Sequence, residues 1–353
     1  MLSRASDVAA TARLALAAAV AAVCFGSPAV ALARPKTDTV VLKNGDRITC
    51  EIKKLERGLL QVSTNDIGTI SIEWLKVASV GSTFIFEVET TAGSLHYGSL
   101  EPGAAGELGV VLGDTRVTVT LSDVVRITTI EATFWDRLYG NIGAGGSYTQ
   151  SSGVAQASVN FLLGARRPAF EWQTSVDATL TAQENEPDTG RFNGQVGYTR
   201  LLRNRWLVPG YVMLERNTDL GYELRATAAL GVGRTMIQTN RTLLRLGAAV
   251  AANREVPVDG DTITNIELNF PFAYEVFTYD YPKTDLTVGL TAYPSLSDWG
   301  RFRFNSDLTL SRELFTSDFY VAFTLYDDYD SRPPTEDASK NDVGVTFSLG
   351  WKF

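Results

Sequence analysis

The fold turns on the segment Val343-Gly344-Val345-Thr346-Phe347-Ser348-Leu349-Gly350-Trp351-Lys352-Phe353. Large apolar side chains occupy every second position, and Gly, Thr, Ser or Lys fill the positions between them. Successive side chains of a β-strand point to opposite faces, so this pattern is a strand with one apolar and one polar side. The same rhythm runs upstream. Phe170, Trp172, Val176, Ala178 and Leu180 alternate with Glu171, Gln173, Ser175, Asp177, Thr179 and Thr181. Phe302, Phe304, Leu308 and Leu310 alternate with Arg303, Asn305, Asp307 and Thr309.

Twelve such strands are predicted, at 139–150, 154–165, 169–181, 190–202, 206–216, 222–236, 242–253, 264–278, 284–294, 301–313, 319–328 and 341–353. Strands of soluble sheets usually have about 5–6 residues; a tilted strand crossing a bilayer needs about 9–11. Length therefore favours lipid on the apolar side. Backbone groups in hydrocarbon must all be paired, which requires a closed sheet. The connections 165–168, 203–205, 238–241, 279–283 and 314–318 are short, whereas 182–190, 254–263 and 329–340 are longer and mostly acidic. Short and long connections interleave, as periplasmic turns and external loops do in transmembrane barrels. The predicted fold is all-β: a transmembrane antiparallel β-barrel of about twelve strands over 134–353. Its predicted lumen-facing residues are Glu171, Asp177, Gln195, Arg301, Arg303, Asn305 and Asp307. Mixed charge of this kind points to mutually paired side chains that narrow the interior. Tyr148, Trp172, Tyr198, Trp206, Tyr211, Tyr274, Tyr279, Tyr281, Trp299 and Trp351 fall mostly near strand ends, where interfacial girdles need amphipathic rings.

At the other end of the sequence, Arg4 and Arg13 precede an apolar run over 14–25, and Ala31-Leu32-Ala33 offers small residues for cleavage. That order predicts a secretory signal peptide over 1–33. Cys24 does not make a lipoprotein signal, because Val23 stands where a small residue is needed. The full chain carries 32 basic and 40 acidic residues; without Arg4, Asp7 and Arg13 the balance is 30 to 39, a net charge of -9. This argues against nucleic-acid binding, which relies on clustered Lys and Arg. Cys50 is then the sole cysteine, and its place in the alternation of 47–52 predicts a small packing residue.

Residues 34–133 are predicted to hold two copies of one β unit in the periplasm. Asn44-Gly45 is a strong hairpin signal. About 48 residues on, Gly93 matches Gly45, Leu100 matches Ile52, Val124 matches Val77 and Ile127 matches Val80. Four or five short strands per copy predict two small SH3-like or Sm-like barrels, a docking or packing unit. His96, the only histidine, is predicted to be a hairpin residue rather than a metal ligand.

The alternation at 347–353, with Phe347, Leu349, Trp351 and Phe353, resembles the C-terminal signal that the outer-membrane assembly machinery recognises. Together with the short turns Arg166-Arg167-Pro168 and Leu202-Arg203-Asn204-Arg205-Trp206, the stretch 135–353 resembles the domain of unknown function 481 family. Members are described as salt-induced outer-membrane proteins. The segment Leu42-Lys43-Asn44-Gly45-Asp46-Arg47-Ile48 is similar to leader domains that precede such barrels, with Cys50 departing from an expected Gly. The resemblance carries no catalytic motif. It implies a non-enzymatic outer-membrane protein, structural or narrow-pore, with a link to osmotic or salt stress. Expected partners are outer-membrane lipids, the assembly machinery and a periplasmic envelope component. No cofactor, metal or catalytic residue is expected. The alternatives are an outer-membrane hydrolase, disfavoured because 134–353 contains no histidine to activate a nucleophile, and a periplasmic docking protein. Acidic residues at 326–330, with Glu336 and Asp337, are expected to form a solvated external loop rather than a divalent-cation site.

Overall fold

The computed structural model describes residues 35–130, 138–149, 154–183, 189–217, 222–258, 261–316, 318–333 and 340–351. The predicted signal peptide, Glu336, Asp337 and the terminal Phe353 lie outside the described residues. Among the described residues regular structure is strand, apart from short 3-10 turns.

Nine strands form the first sheet: β1 (Asp38–Leu42), β2 (Arg47–Glu56), β3 (Leu59–Ser63), β4 (Thr69–Glu73), β5 (Val77–Thr90), β6 (Leu95–Pro102), β7 (Glu107–Leu112), β8 (Thr115–Thr120) and β9 (Val124–Thr129). Their order is β4-β3-β2-β1-β5-β6-β7-β8, and β9 pairs with both β2 and β5. Strands β1, β2, β9 and β5 thereby close a four-stranded ring. The repeat is real, but it does not make two separate barrels. β5 is long enough to serve as the last strand of the first copy and the first strand of the second, and one apolar core runs through both. The matched pairs Ile52 with Leu100, Val77 with Val124 and Val80 with Ile127 are all buried in that core. Trp74 and Leu121 open the two equivalent 3-10 turns, and the Trp74 indole donates to the Leu121 carbonyl at 2.7 Å, tying copy to copy. Gly45 and Gly93 both have positive φ, at 95° and 80°, as their turns demand. Cys50 is buried in the same core.

Twelve strands form the second sheet: β10 (Leu138–Thr149), β11 (Val154–Arg167), β12 (Phe170–Gln183), β13 (Thr189–Leu201), β14 (Trp206–Asn217), β15 (Tyr222–Gln238), β16 (Thr242–Pro257), β17 (Ile263–Thr278), β18 (Thr284–Pro294), β19 (Phe302–Glu313), β20 (Phe319–Asp330) and β21 (Asn341–Trp351). Every strand pairs antiparallel with its sequence neighbours, from β10 at one side to β21 at the other. The number and phase of the strands agree with the alternation of the sequence. Two bounds differ in an informative way. β16 runs on to Pro257 and β20 to Asp330, so residues assigned to acidic loops belong to strands.

The two faces of this sheet are inverted relative to a soluble protein. Leu230 is 66% exposed and Phe347 62% exposed, while Glu255 and Glu267 are 0% exposed. Thr227, Asn253, Asn265 and Asn269 are buried too. The polar face is also concave: Tyr211 on β14 accepts a hydrogen bond from Asn269 on β17 at 3.0 Å. Those strands are three places apart, and neighbouring strands lie about 4.8 Å from one another, so only a strongly curled sheet lets these side chains meet. The same bond corrects the sequence reading of Tyr211, which belongs to the polar face rather than to an outward aromatic girdle.

Candidate functional site

The polar face of the twelve-stranded sheet holds two clusters, one toward each end of its strands. The first lies toward the longer connections. The Arg225 guanidinium on β15 sits 3.1 Å from the Glu255 carboxylate on β16. Arg301, in the tight turn that leads into β19, reaches Glu255 at 3.4 Å and Asp330 on β20 at 2.6 Å. Arg303 on β19 meets Glu267 on β17 at 2.6 Å, and Asn253 donates to the same carboxylate at 2.9 Å. The Asn305 amide donates to Asp328 on the neighbouring strand. Three guanidinium groups thus tie together strands from β15 to β20. Glu255, Glu267 and Asp330 are buried or partly buried and each has a guanidinium partner, whereas Asp328 is met by an amide. Such pairs contribute little net stability, because desolvation offsets the attraction, yet removing one partner leaves a buried charge alone. Chemically the cluster is a saturated electrostatic bridge. Among the described residues no group of His, Cys, Asp and Glu is arranged to hold a metal.

Of the residues singled out from the sequence, Arg301, Arg303 and Asn305 join this cluster. Glu171 lies at the opposite end, where its carboxylate accepts from Arg166 at 2.8 Å and from the Tyr139 hydroxyl at 2.8 Å. Asp177, Gln195 and Asp307 share the polar face by strand register. Sequence reasoning missed Glu255, Glu267, Arg225 and Asp330. The charges of 254–263 point to a connection, yet Asn253 and Glu255 keep the two-residue period of β16, which is the available signal. The acidic run 326–330 is likewise strand rather than loop, with Asp328 and Asp330 turned onto Asn305 and Arg301.

The second cluster forms where the nine-stranded sheet meets the short-turn end of the twelve-stranded one. Glu89 on β5 accepts from Arg126 on β9 at 2.9 Å, from Arg205 at 3.1 Å and from Gln238 at 3.5 Å. Arg205 also donates to the Thr90 carbonyl at 2.7 Å, and Asn240 to the Val124 carbonyl at 2.8 Å. Arg57 pairs with Glu275 at 3.2 Å and lies over the Phe277 ring at 4.9 Å, while the Tyr279 hydroxyl donates to the Arg57 carbonyl at 2.7 Å. The turns carrying Arg205, Asn240 and Tyr279 are three of the short connections. Their Arg, Asn and Tyr side chains satisfy backbone groups of the other sheet, which fixes its seat. Burial alone would raise the Glu56 carboxyl, but Arg126, Lys54 and Arg166 outweigh it and hold Glu56 below the usual carboxylate range. Burial pushes the Glu87 carboxyl up, against the opposing pull of Tyr97 and Arg166.

No curated protein matches the chain. The family model described as "Protein of unknown function, DUF481" matches residues 142–353, which is more than half of the chain and covers nearly all of the twelve-stranded sheet. The chain belongs to the DUF481 family of proteins of unknown function.

Proposed function

We propose that this protein is a non-enzymatic β-barrel of the bacterial outer membrane, built as a narrow or occluded pore with a structural role in the envelope. The observation that carries this reading is the inverted burial of the twelve-stranded sheet: apolar side chains exposed on the convex face, ion pairs buried on the concave one. A water-soluble sheet with that distribution would leave a large apolar surface in water at a cost of roughly 25 cal/mol per Å². In a bilayer the same surface is solvated by lipid.

In this reading β10 and β21 pair to close the barrel. Their directions permit it, since an even number of strands makes the first and last antiparallel. The leader over 1–33 directs export, and Phe347, Leu349, Trp351 and Phe353 serve as the signal read by the assembly machinery. The short turns and the nine-stranded sheet face the periplasm. The Arg225–Glu255–Arg301–Asp330 bridge supports a constricted interior, because it spans strands β15 to β20. A role in osmotic or salt stress follows from the family resemblance alone.

Cell fractionation tests placement: the protein is expected in the detergent-extracted outer membrane, with heat-modifiable electrophoretic mobility. Recovery in the soluble periplasm would overturn the proposal. Planar-bilayer recording tests constriction, with small or no conductance steps expected; large, steady steps would refute a narrow interior.

A further inference from the structure

At the junction of the two sheets lies a cavity of about 290 Å³, roofed by Glu87, Glu89 and Arg126 and floored by the polar face of the larger sheet. Its floor is made of small or ring-closed residues, including Gly233, Gly247, Ala249 and Pro271, so the space is not filled by side chains from below. Five arginines line it, Arg126, Arg166, Arg203, Arg205 and Arg245, against the three carboxylates Glu87, Glu89 and Glu171. Arg166 is held by Glu171, and Arg126 by Glu89. Arg245, on β16, lines the cavity, is exposed within it, and has no ion-pair partner among the described residues. Arg126 is buried, and its Nε has no hydrogen-bond partner. Burial pushes the Arg126 guanidinium below its ordinary range, and the nearby Arg166 and Arg245 push it further, against the pull of Glu89 and Glu56.

Convergent cations of this kind are costly unless something negative shares the space. Glu89 is already divided among Arg126, Arg205 and Gln238, Glu171 is engaged by Arg166 and Tyr139, and burial pushes the third carboxyl, Glu87, up toward its uncharged form. Planar guanidinium groups recognise carboxylate and phosphate through paired, charge-assisted hydrogen bonds. We propose that this cavity is a binding site for a small anionic solute, a phosphate or carboxylate ester or acid, held by Arg245 within the positive field of the neighbouring Arg126 and Arg166. The volume admits more than a bare inorganic ion, and Pro209, Leu207 and Ala273 in the lining offer apolar contact to a short carbon skeleton. The site exists whether or not the larger sheet spans a membrane, so its test is independent of the proposal above.

Titration calorimetry on the full-length, detergent-refolded protein decides the matter, with citrate, glucose 6-phosphate and inorganic phosphate as probes and glucose as the uncharged control. At least one anion is expected to bind saturably, with affinity falling as salt rises, and glucose is expected to give no signal. Arg245→Gln should weaken that binding at least tenfold, with Arg245→Lys intermediate, because Lys keeps the charge but loses the planar fork. Arg116→Gln, a surface residue of the smaller sheet away from the cavity, should leave it unchanged. Far-ultraviolet circular dichroism of each variant controls for folding. Absence of heat with all three anions, equal binding of glucose, or an Arg245→Gln protein that binds as the wild type does would each overturn the proposal.

Discussion

Glu255 concentrates the chemistry of the interior in one side chain. It is 0% exposed and sits between two guanidinium groups, Arg225 and Arg301. Glu255→Ala leaves both without that partner, and loss of one member of a buried pair typically costs about 3–5 kcal/mol. Urea unfolding in lipid vesicles should show a loss of that size, and Glu255→Ala combined with Arg225→Ala should be less damaging than the single changes summed. Strict additivity would mean that the pair is not coupled. Glu87 provides a second test, in the smaller sheet. Its carboxyl is raised by burial, so the folded state disfavours the charged form. The sign follows from proton linkage: the folded state gains stability as pH falls through the raised value and loses it as pH rises again. Glu87→Gln removes the charge at every pH. It should raise the thermal midpoint near neutral pH and make little difference in mild acid, measured by the near-ultraviolet dichroism of residues around Trp74. A variant less stable at neutral pH would contradict the assignment.

At the scale of the element, β21 shows how far a strand announces its own environment. Val343, Val345, Phe347, Leu349 and Trp351 are all exposed, whereas Gly344 and Gly350 on the other face lie under the rings of Tyr326 and Tyr320, where any Cβ would collide. Val345→Arg should destabilise the protein in lipid by about 2–4 kcal/mol if the position lies near the bilayer midplane. Thr346→Arg, one residue on and on the polar face, should cost far less. Equal penalties would remove the distinction between faces. This phase was legible in the sequence, because a period of two survives substitution as long as one side must meet an apolar medium. The ends of strands were not. Arg254-Glu255-Val256-Pro257 carries charges and a proline, the signature of a connection, and only the presence of Arg225 and Arg301 opposite makes a buried strand end of it. The fusion of the two repeats was equally invisible. Matching glycines and valines reveal that two copies exist, but β5 pairs with β1 along one half and with β6 and β9 along the other, which depends on contacts distant in sequence.

For the molecule as a whole, directional bonds from Arg205, Asn240 and Tyr279 seat the smaller sheet on the short-turn end. Gly58, with φ of +69°, packs directly against the Asn240 carbonyl, where a side chain has no room. Arg205→Ala combined with Asn240→Ala removes the bonds to Glu89, Thr90 and Val124. Hydrogen–deuterium exchange should then rise at 122–126 and 238–241 while protection within β15 and β16 is retained; unchanged exchange at the junction would mean that these bonds do not hold the seat. The central claim, a sheet with lipid outside and a polar interior, is tested most directly by scanning spin labels along β18. Single cysteines at positions 286–292, in protein reconstituted into liposomes, should alternate. Labels at Leu286, Val288, Leu290 and Ala292 should be accessible to membrane-dissolved oxygen, and labels at Thr287, Gly289 and Thr291 to a water-soluble nickel chelate or to neither reagent. Accessibility without a two-residue period, or with the opposite phase, would contradict it.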